Sequence, residues 1–138
     1  MKTINDAIDV VWKQVNACLT GSISGGVYKI ARPFDSKLED VVINSLPING
    51  DSIQSCVLYI NCYVPNPTLK IKGKSDNSLP DYTRLKSLTA TIISQVDSIS
   101  GPGTFQFVEN QAVLKNEGVP EHFSSIRLQL IFTCEDES

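Results

Sequence analysis

The segment from Ser52 to Val64, SIQSCVLYINCYV, restricts the possible folds more than any other part of the chain. Apolar side chains stand at every second position, at Cys56, Leu58, Ile60, Cys62 and Val64. This period of two is typical of a β-strand that lays one face on a hydrophobic core. The intervening side chains form a mixed face that is suited to partial covering. We predict one long strand here, ended by Pro65 and Pro67, which have no N–H to donate to a neighbouring strand.

Four further segments have strand-like patterns. Thr104–Leu114 and His122–Cys134 flank the turn sequence NEGVPE and predict a hairpin. The apolar face of the second segment consists of Ile126, Leu128, Leu130, Phe132 and Cys134. Val27–Ala31 and Val41–Ile43 predict two shorter strands on either side of a polar turn that contains Pro33.

Two segments predict amphipathic helices. The first is Thr3–Leu19, where Thr3 and Asp6 are spaced to cap the helix N-terminus. Its apolar stripe is Ile4, Ile8, Val11, Val15 and Leu19. The second begins near Pro80 and ends at the Gly-Pro-Gly sequence of residues 101–103. Its apolar stripe is Leu85, Leu88, Ile92, Val96 and Ile99.

Length and composition indicate one globular domain. The chain has 138 residues, of which 41% are hydrophobic and 20% are charged, as is usual for a domain with a core of its own. We predict a single domain over residues 1–138 with an α+β fold. In it, two helices pack on one face of an antiparallel β-sheet, and Pro65–Pro80 forms a long extended loop or β-arm.

Charge and hydropathy make a membrane or targeting role unexpected. The formal net charge of −3 gives no overall attraction to nucleic acid or acidic lipid, although a local basic patch is compatible with it. No apolar run approaches the roughly 18 residues that a membrane helix needs. Asp6 and Asp9 interrupt the apolar core that an N-terminal signal would require. We expect a soluble protein that is not secreted through a cleaved signal.

The cysteines predict no metal site. Cys18, Cys56, Cys62 and Cys134 form no C-x-x-C pair and lie in apolar-patterned segments. We predict small, buried, reduced core residues. The alternative is a disulfide framework, which four cysteines in a chain of this length support poorly.

Catalytic chemistry is hardly indicated. His122 is the single histidine and follows a proline turn, with no nucleophile beside it. The glycines match no phosphate-binding or dinucleotide motif. Glu39 and Asp40, with Gln54 in the next strand, faintly resemble a metal-dependent nuclease centre. The alternative is a charged turn whose acids keep a short edge strand soluble. We predict no catalytic residue, no cofactor and no metal.

The segment Pro65–Pro80 carries lysines at every second position, Lys70, Lys72 and Lys74. It predicts either a floppy connection or an extended β-arm with one basic face. Three lysines supply few phosphate contacts, and no aromatic side chain lies between them to stack on bases. We therefore interpret it as a solvated or partner-facing arm rather than as a nucleic-acid grip.

The order of elements resembles a known family over nearly the whole chain. The matching parts are the helix INDAIDVVWKQVNACL, the segment GGVYKIARPFDSKLEDVVINSLP, the strand SCVLYINCYVP, the helix DYTRLKSLTATIISQVDSI and the closing strand SSIRLQLIFTCED. Together they are similar to the small tail-completion or tail-terminator proteins of tailed bacteriophages and prophages. The likeness rests on this order and on the strand with VY followed by a proline.

That resemblance implies a structural virion protein without a catalytic role. Family members form a ring, commonly a hexamer, at the head-proximal end of the tail tube. The ring stops tube polymerisation and joins the tube to the neck or connector proteins, and DNA passes through its lumen without specific binding. The implied location is the virion tail, assembled in the host cytoplasm.

A ring requires a heterologous contact, in which one face of a subunit meets a different face of the next. The polar segment between the two short strands carries both signs of charge, at Arg32, Asp35, Lys37, Glu39 and Asp40. We predict that these residues supply ion pairs and register at the subunit interface. Phe34 is either the apolar anchor of that contact or a cover for its own core.

Three other functions remain open from the sequence. Within structural proteins, the alternative is a head–tail connector or neck protein. From other classes, the alternatives are a small metal-dependent nuclease and a nucleic-acid-binding module.

Overall fold

The computed structural model describes residues 1–133. They form α1 (Ile4–Leu19), β1 (Val27–Lys29), β2 (Asp40–Ser45), β3 (Ile53–Pro65), β4 (Leu69–Ile71), β5 (Lys74–Asp76), α2 (Tyr82–Val96), β6 (Thr104–Lys115) and β7 (Glu121–Thr133). The fold is α+β, as predicted. The predicted strand position of Cys134 and the acidic tail that follows it lie outside the described residues.

The main sheet has five strands in the order β1-β2-β3-β7-β6. The two longest strands, β3 and β7, lie antiparallel at its centre, and their middle core positions face one another, as in Leu58 opposite Leu128 and Ile60 opposite Ile126. This register follows from the two alternating patterns, because a slip by one residue would turn one apolar face toward solvent.

The sheet is mostly antiparallel, as predicted, and mixed because of one pair at its edge. β1 pairs with β2 in parallel, with Val27 opposite Val41 and Lys29 opposite Ile43. Parallel pairing requires the chain to return to the end at which β1 began, so residues 30–39 form a crossing loop instead of a tight hairpin turn. Consequently β2 lies between β1 and β3 and is not an edge strand.

Both helices pack on the same face of this sheet, as predicted. α1 contacts β1, β2 and β3, whereas α2 contacts β3 and β7. The predicted apolar stripes of α1 and α2, except the half-buried Ile4, form one buried core with the alternate residues of β3 and β7. Thr3 and Asp6 form the capping box of α1, and Asp81 caps α2, so this helix begins two residues after Pro80. Ile99 is buried but lies beyond the end of α2.

The other side of the sheet, which we call the outer face, has no helix over it in the described part of the chain. Its centre consists of the half-buried residues of β3 that alternate with the core positions, Val57, Tyr59, Asn61 and Tyr63. Directly opposite residues share a face, so Phe123, Ser125, Arg127 and Gln129 of β7 extend it. The sheet is thus covered on one side and largely open on the other.

Three cysteines have the reduced state expected of them. Cys18, Cys56 and Cys62 are free, and the last two are buried. Burial raises the pKa of the Cys62 thiol to about 12, so the thiolate that reacts or binds metal is scarcely populated at neutral pH.

Candidate subunit interface

The segment Ile30–Glu39, which we call the charged loop, lies against one end of the outer face. Arg32 is its anchor. The guanidinium donates to Asp40 Oδ2 at 2.9 Å and to Glu121 Oε1 at 2.9 Å, and it stacks on the Tyr63 ring at 4.4 Å from the centroid. It also donates to the carbonyl oxygens of Ser36 and Leu38. One side chain therefore ties the loop to both β2 and β7.

Two carboxylates share this single arginine. The Asp40 side chain is 0% exposed and that of Glu121 is 3% exposed, against 15% for Arg32. The Ser36 hydroxyl and the Gly26 N–H donate to Asp40, and Asn116 Nδ2 donates to Glu121. These donors are the partners that buried charges require.

The six predicted interface residues fall into two groups, those paired within the subunit and those exposed to solvent. Arg32 and Asp40 are paired inside the subunit, and the alternative of a solvated acid on an edge strand is wrong for Asp40. Glu39 also has a partner in the same chain, Arg84. Three of the six predicted residues, Phe34, Asp35 and Lys37, are exposed and remain predicted interface positions.

Phe34 does not cover its own core, because its side chain is 100% exposed. It stands in a turn closed by a hydrogen bond from the Ser36 N–H to the Pro33 carbonyl oxygen. Asp35 has a φ of 58° in this turn, a conformation that aspartate tolerates better than most residues. The turn exposes an aromatic ring at the tip of the loop, and Arg32 fixes the loop backbone through the carbonyl oxygens of Ser36 and Leu38.

The loop begins with a strained residue. Ile30 has a φ of 73°, which is rare for a β-branched side chain. A hydrogen bond from the Ala31 N–H to the Lys29 carbonyl oxygen closes a three-residue turn around it. This turn ends β1 two residues before the predicted boundary at Ala31 and directs the chain onto the outer face.

Glu39 connects the loop to the opposite side of the sheet. Its carboxylate accepts from Arg84 Nε at 2.7 Å and from Arg84 Nη2 at 2.9 Å, so α2 is clamped to the start of β2. The hydrogen bonds from Arg84 hold the pKa of Glu39 below its ordinary value of 4.5, and partial burial opposes them. The ionised form is therefore favoured in the folded protein.

This clamp predicts a measurable acid sensitivity. Because the folded pKa of Glu39 is depressed, its stabilising effect is complete above about pH 4.5 and is lost as the pH falls through the folded value. We expect Glu39→Gln to lower the free energy of unfolding at pH 7 by roughly 1 kcal/mol, since solvent screens a half-buried pair. The difference between variant and wild type should shrink below pH 4.5 in urea titrations. A difference independent of pH would contradict this role.

The segment Pro65–Pro80 is an arm with a small hairpin at its tip. β4 pairs with β5 so that Lys70 is opposite Ser75 and Ile71 is opposite Lys74. Lys72 and Gly73 form the turn, with φ values of 53° and 77°. Lys70 and Lys74 therefore lie on opposite faces, and the predicted single basic face does not form. Leu69 and Ile71 share one face and are exposed.

Sequence reasoning missed two apolar surfaces. On the outer face, Phe105 and Phe107 of β6 are 57% and 47% exposed. They point outward because Phe105 pairs with Ile131, whereas Gln106 pairs with the core residue Leu130. The alternation in TFQFV alone favours the opposite assignment, and no local signal corrects it.

The second missed surface is a groove of about 400 Å³ between α2 and β6 on the helix-covered side of the sheet. Its apolar lining includes Tyr82, Leu85, Ala90 and Ile93 from α2 and Val113 from β6. It lies where the edge strand β6 extends the sheet beside β7, because α2 packs mainly on β3 and β7. Exposed Lys86 also lines it.

The candidate nuclease residues do not meet. Glu39 is bound to Arg84 and Asp40 to Arg32, while Gln54 bonds Lys2 and Asn49 near the other end of β3. His122 Nδ1 lies 2.7 Å from Asn66 Oδ1. Over residues 1–133, no group of three or more His, Cys, Asp or Glu side chains is placed to hold a metal ion.

Within the same residues, no helix is both long and apolar enough to cross a membrane. No protein-family model matches the sequence, and no curated protein aligns with it significantly.

Proposed function

We propose that this chain is a structural virion protein of a tailed phage or prophage, a tail terminator or tail-completion protein. In this role, copies of the chain form a ring, a hexamer in the family it resembles, that caps the tail tube. The ring meets the neck or connector proteins on its other side, and DNA passes through its lumen without specific binding.

The observation that carries this proposal is the pair of unlike exposed surfaces on one small domain. A fully exposed phenylalanine stands on the charged loop at the outer face, and an apolar groove opens on the helix-covered face. Exposed apolar surface of this kind marks interaction sites. Two different surfaces on one subunit suit a heterologous contact, which is the contact that a ring needs.

The other functions receive less support. The nuclease alternative lacks converging carboxylates, and the nucleic-acid alternative loses the single basic face of the arm. A head–tail connector or neck protein fits the same exposed surfaces and is separated from a terminator by its partner. The terminator is preferred because the order of the sequence elements resembles that family.

The first test is the mass of the protein by light scattering after size exclusion, at several concentrations and two salt levels. A chain of 15.1 kDa that forms a closed hexamer elutes at about 90 kDa. The second test adds the protein to polymerising tail-tube protein of the same virus. We expect bound chain at one tube end and shorter tubes at substoichiometric amounts. Unchanged tube lengths and no co-sedimentation would contradict the proposal.

The alternatives have their own signatures in the same preparation. Metal-dependent loss of DNA that alanine at Glu39 and Asp40 abolishes would favour a nuclease. Salt-dependent DNA binding that weakens when Lys70, Lys72 and Lys74 are neutralised would favour a nucleic-acid-binding module. Binding to a connector protein but not to tube protein would favour a neck protein.

A further inference from the structure

The Phe34 side chain is exposed to solvent on a loop whose backbone is held in place. It is 100% exposed in a loop whose backbone is held by Arg32 through the carbonyl oxygens of Ser36 and Leu38. The left-handed φ of 58° at Asp35 fixes the turn beside it. A rigid aromatic group costs little conformational entropy when it binds, which is the property of an interface anchor.

The groove between α2 and β6 has the chemistry and size to receive that ring. Cavities of about 150 Å³ lined by aliphatic side chains hold a benzene ring. The groove has a volume of about 400 Å³ and an apolar lining that includes Leu85, Ala90, Ile93 and Val113. It therefore has room for the Phe34 ring.

One exposed charge beside Phe34 is opposite in sign to one beside the groove. Exposed Asp35 follows Phe34 at the tip of the turn, and exposed Lys86 lines the groove. A carboxylate beside the ring and an ammonium beside its receptor favour one orientation of docking.

The two surfaces lie on opposite faces of the sheet. The charged loop packs on the outer face through Tyr63 and Glu121. The groove is on the helix-covered face, where Gln111 of β6 and Thr89 of α2 both bond Ser124. A contact that joins these two different surfaces is heterologous, so it passes from copy to copy in one direction.

We propose that Phe34 of one copy inserts into the α2–β6 groove of the next copy, with Asp35 of the first beside Lys86 of the second. This inference rests on the proposed ring and names the contact that would build it. This heterologous arrangement closes into a ring when a whole number of equal rotations from subunit to subunit completes a full turn.

The direct test compares variants that damage one side of the contact. Phe34→Ser removes the ring and Ala90→Arg fills the groove, and each should weaken self-association about 30-fold or more. Thermal unfolding of the monomer should not change with Phe34→Ser, since the side chain is fully exposed. Mixing the two variants should give a dimer and nothing larger, because only one intact contact remains possible in the mixture.

A charge exchange tests the orientation. Asp35→Lys and Lys86→Asp should each weaken association, and the double variant Asp35→Lys/Lys86→Asp should recover most of it. Equal loss in the double variant and in both single variants would overturn the docking orientation.

A covalent test also detects a weak contact. Lys37→Cys and Ala90→Cys in one chain leave Phe34 and Asp35 intact, since Lys37 is an exposed neighbour on the same loop. Treated at high concentration with a short bis-maleimide, this chain should give a ladder of oligomers. A mixture of the two single variants should stop at the dimer, and wild type serves as the control for native cysteines. Absence of the ladder would overturn the inference.

The aromatic control is Phe105→Ser, which alters a 57% exposed phenylalanine elsewhere on the outer face. If Phe105→Ser abolishes the oligomer that wild type forms and Phe34→Ser does not, the inference fails while the ring and the proposed function stand. If wild type caps tail tubes but the double-cysteine chain gives no ladder, the inference again fails alone. If the ladder forms but the chain neither binds nor shortens tubes, the contact stands and the tail function fails.

Discussion

Arg32→Ala is expected to lower the free energy of unfolding by about 3–5 kcal/mol, because it leaves two buried carboxylates without their cation. Asp40 and Glu121 are 0% and 3% exposed in their side chains, so water does not replace the guanidinium easily. Urea denaturation followed by circular dichroism measures the change. The loop that carries Phe34 should loosen as well, since Arg32 also holds two of its carbonyl groups.

Two variants make this prediction specific. Arg32→Lys keeps the charge but loses the fork that reaches Asp40 and Glu121 together, so its loss should be intermediate. Arg127→Ala removes an arginine of the same sheet face whose partner Glu109 is 27% exposed in its side chain, and its loss should be a small fraction of that for Arg32→Ala. Equal losses for Arg32→Ala and Arg127→Ala would show that the buried cluster contributes no more to the free energy of unfolding than a more exposed ion pair.

Local patterns were sufficient for the elements that make the core. The period of two in β3 and β7 and the stripes of α1 and α2 are repeated over many residues, and burial depends directly on them. The pairing of Leu58 with Leu128 then follows from matching two apolar faces. These features are encoded within each segment, and each segment can be interpreted without its neighbours.

The parallel edge and the arm hairpin depend on weaker signals. Nothing within Val27–Lys29 distinguishes a parallel from an antiparallel partner, because three residues have no register of their own. The turn at Lys72-Gly73 needs positive φ at both residues, and only its glycine favours that conformation. The spacing of two between the lysines predicted that they share one face of a strand. The turn at Lys72 instead places Lys70 and Lys74 on opposite faces of the hairpin.

The candidate site shows the same limit more strongly. Arg32 and Glu121 are 89 positions apart in the sequence, so no local pattern reports that they meet. Charged residues in a short turn are usually solvated, and this expectation was wrong for Asp40. Phe34 gave no sequence signal of its exposure, since an aromatic residue between strands is equally suited to a core. The groove depends on the placement of α2 over β3 and β7 with β6 at the edge, which only the assembled sheet defines.

The second large effect is expected at Gly25, which packs against the same buried cluster. A Cβ at this position would overlap Asp40 Oδ1 and the Glu39 carbonyl oxygen. The latter oxygen also accepts the Gly25 N–H at 2.9 Å, so the backbone cannot move away without breaking the junction between β1 and β2. We expect Gly25→Ala to cost about 2–4 kcal/mol through overpacking and displacement of Asp40 from Arg32.

Gly50→Ala is the matched control for this substitution. A Cβ there would meet only the Met1 side chain at 3.6 Å, an ordinary contact, so the change should stay within about 0.5 kcal/mol. Gly25→Ala and Arg32→Ala disturb the same carboxylate, so their double variant should lose less stability than the sum of the single losses. Strictly additive losses in urea denaturation would separate Gly25 from the cluster and leave its effect to the β1–β2 backbone alone.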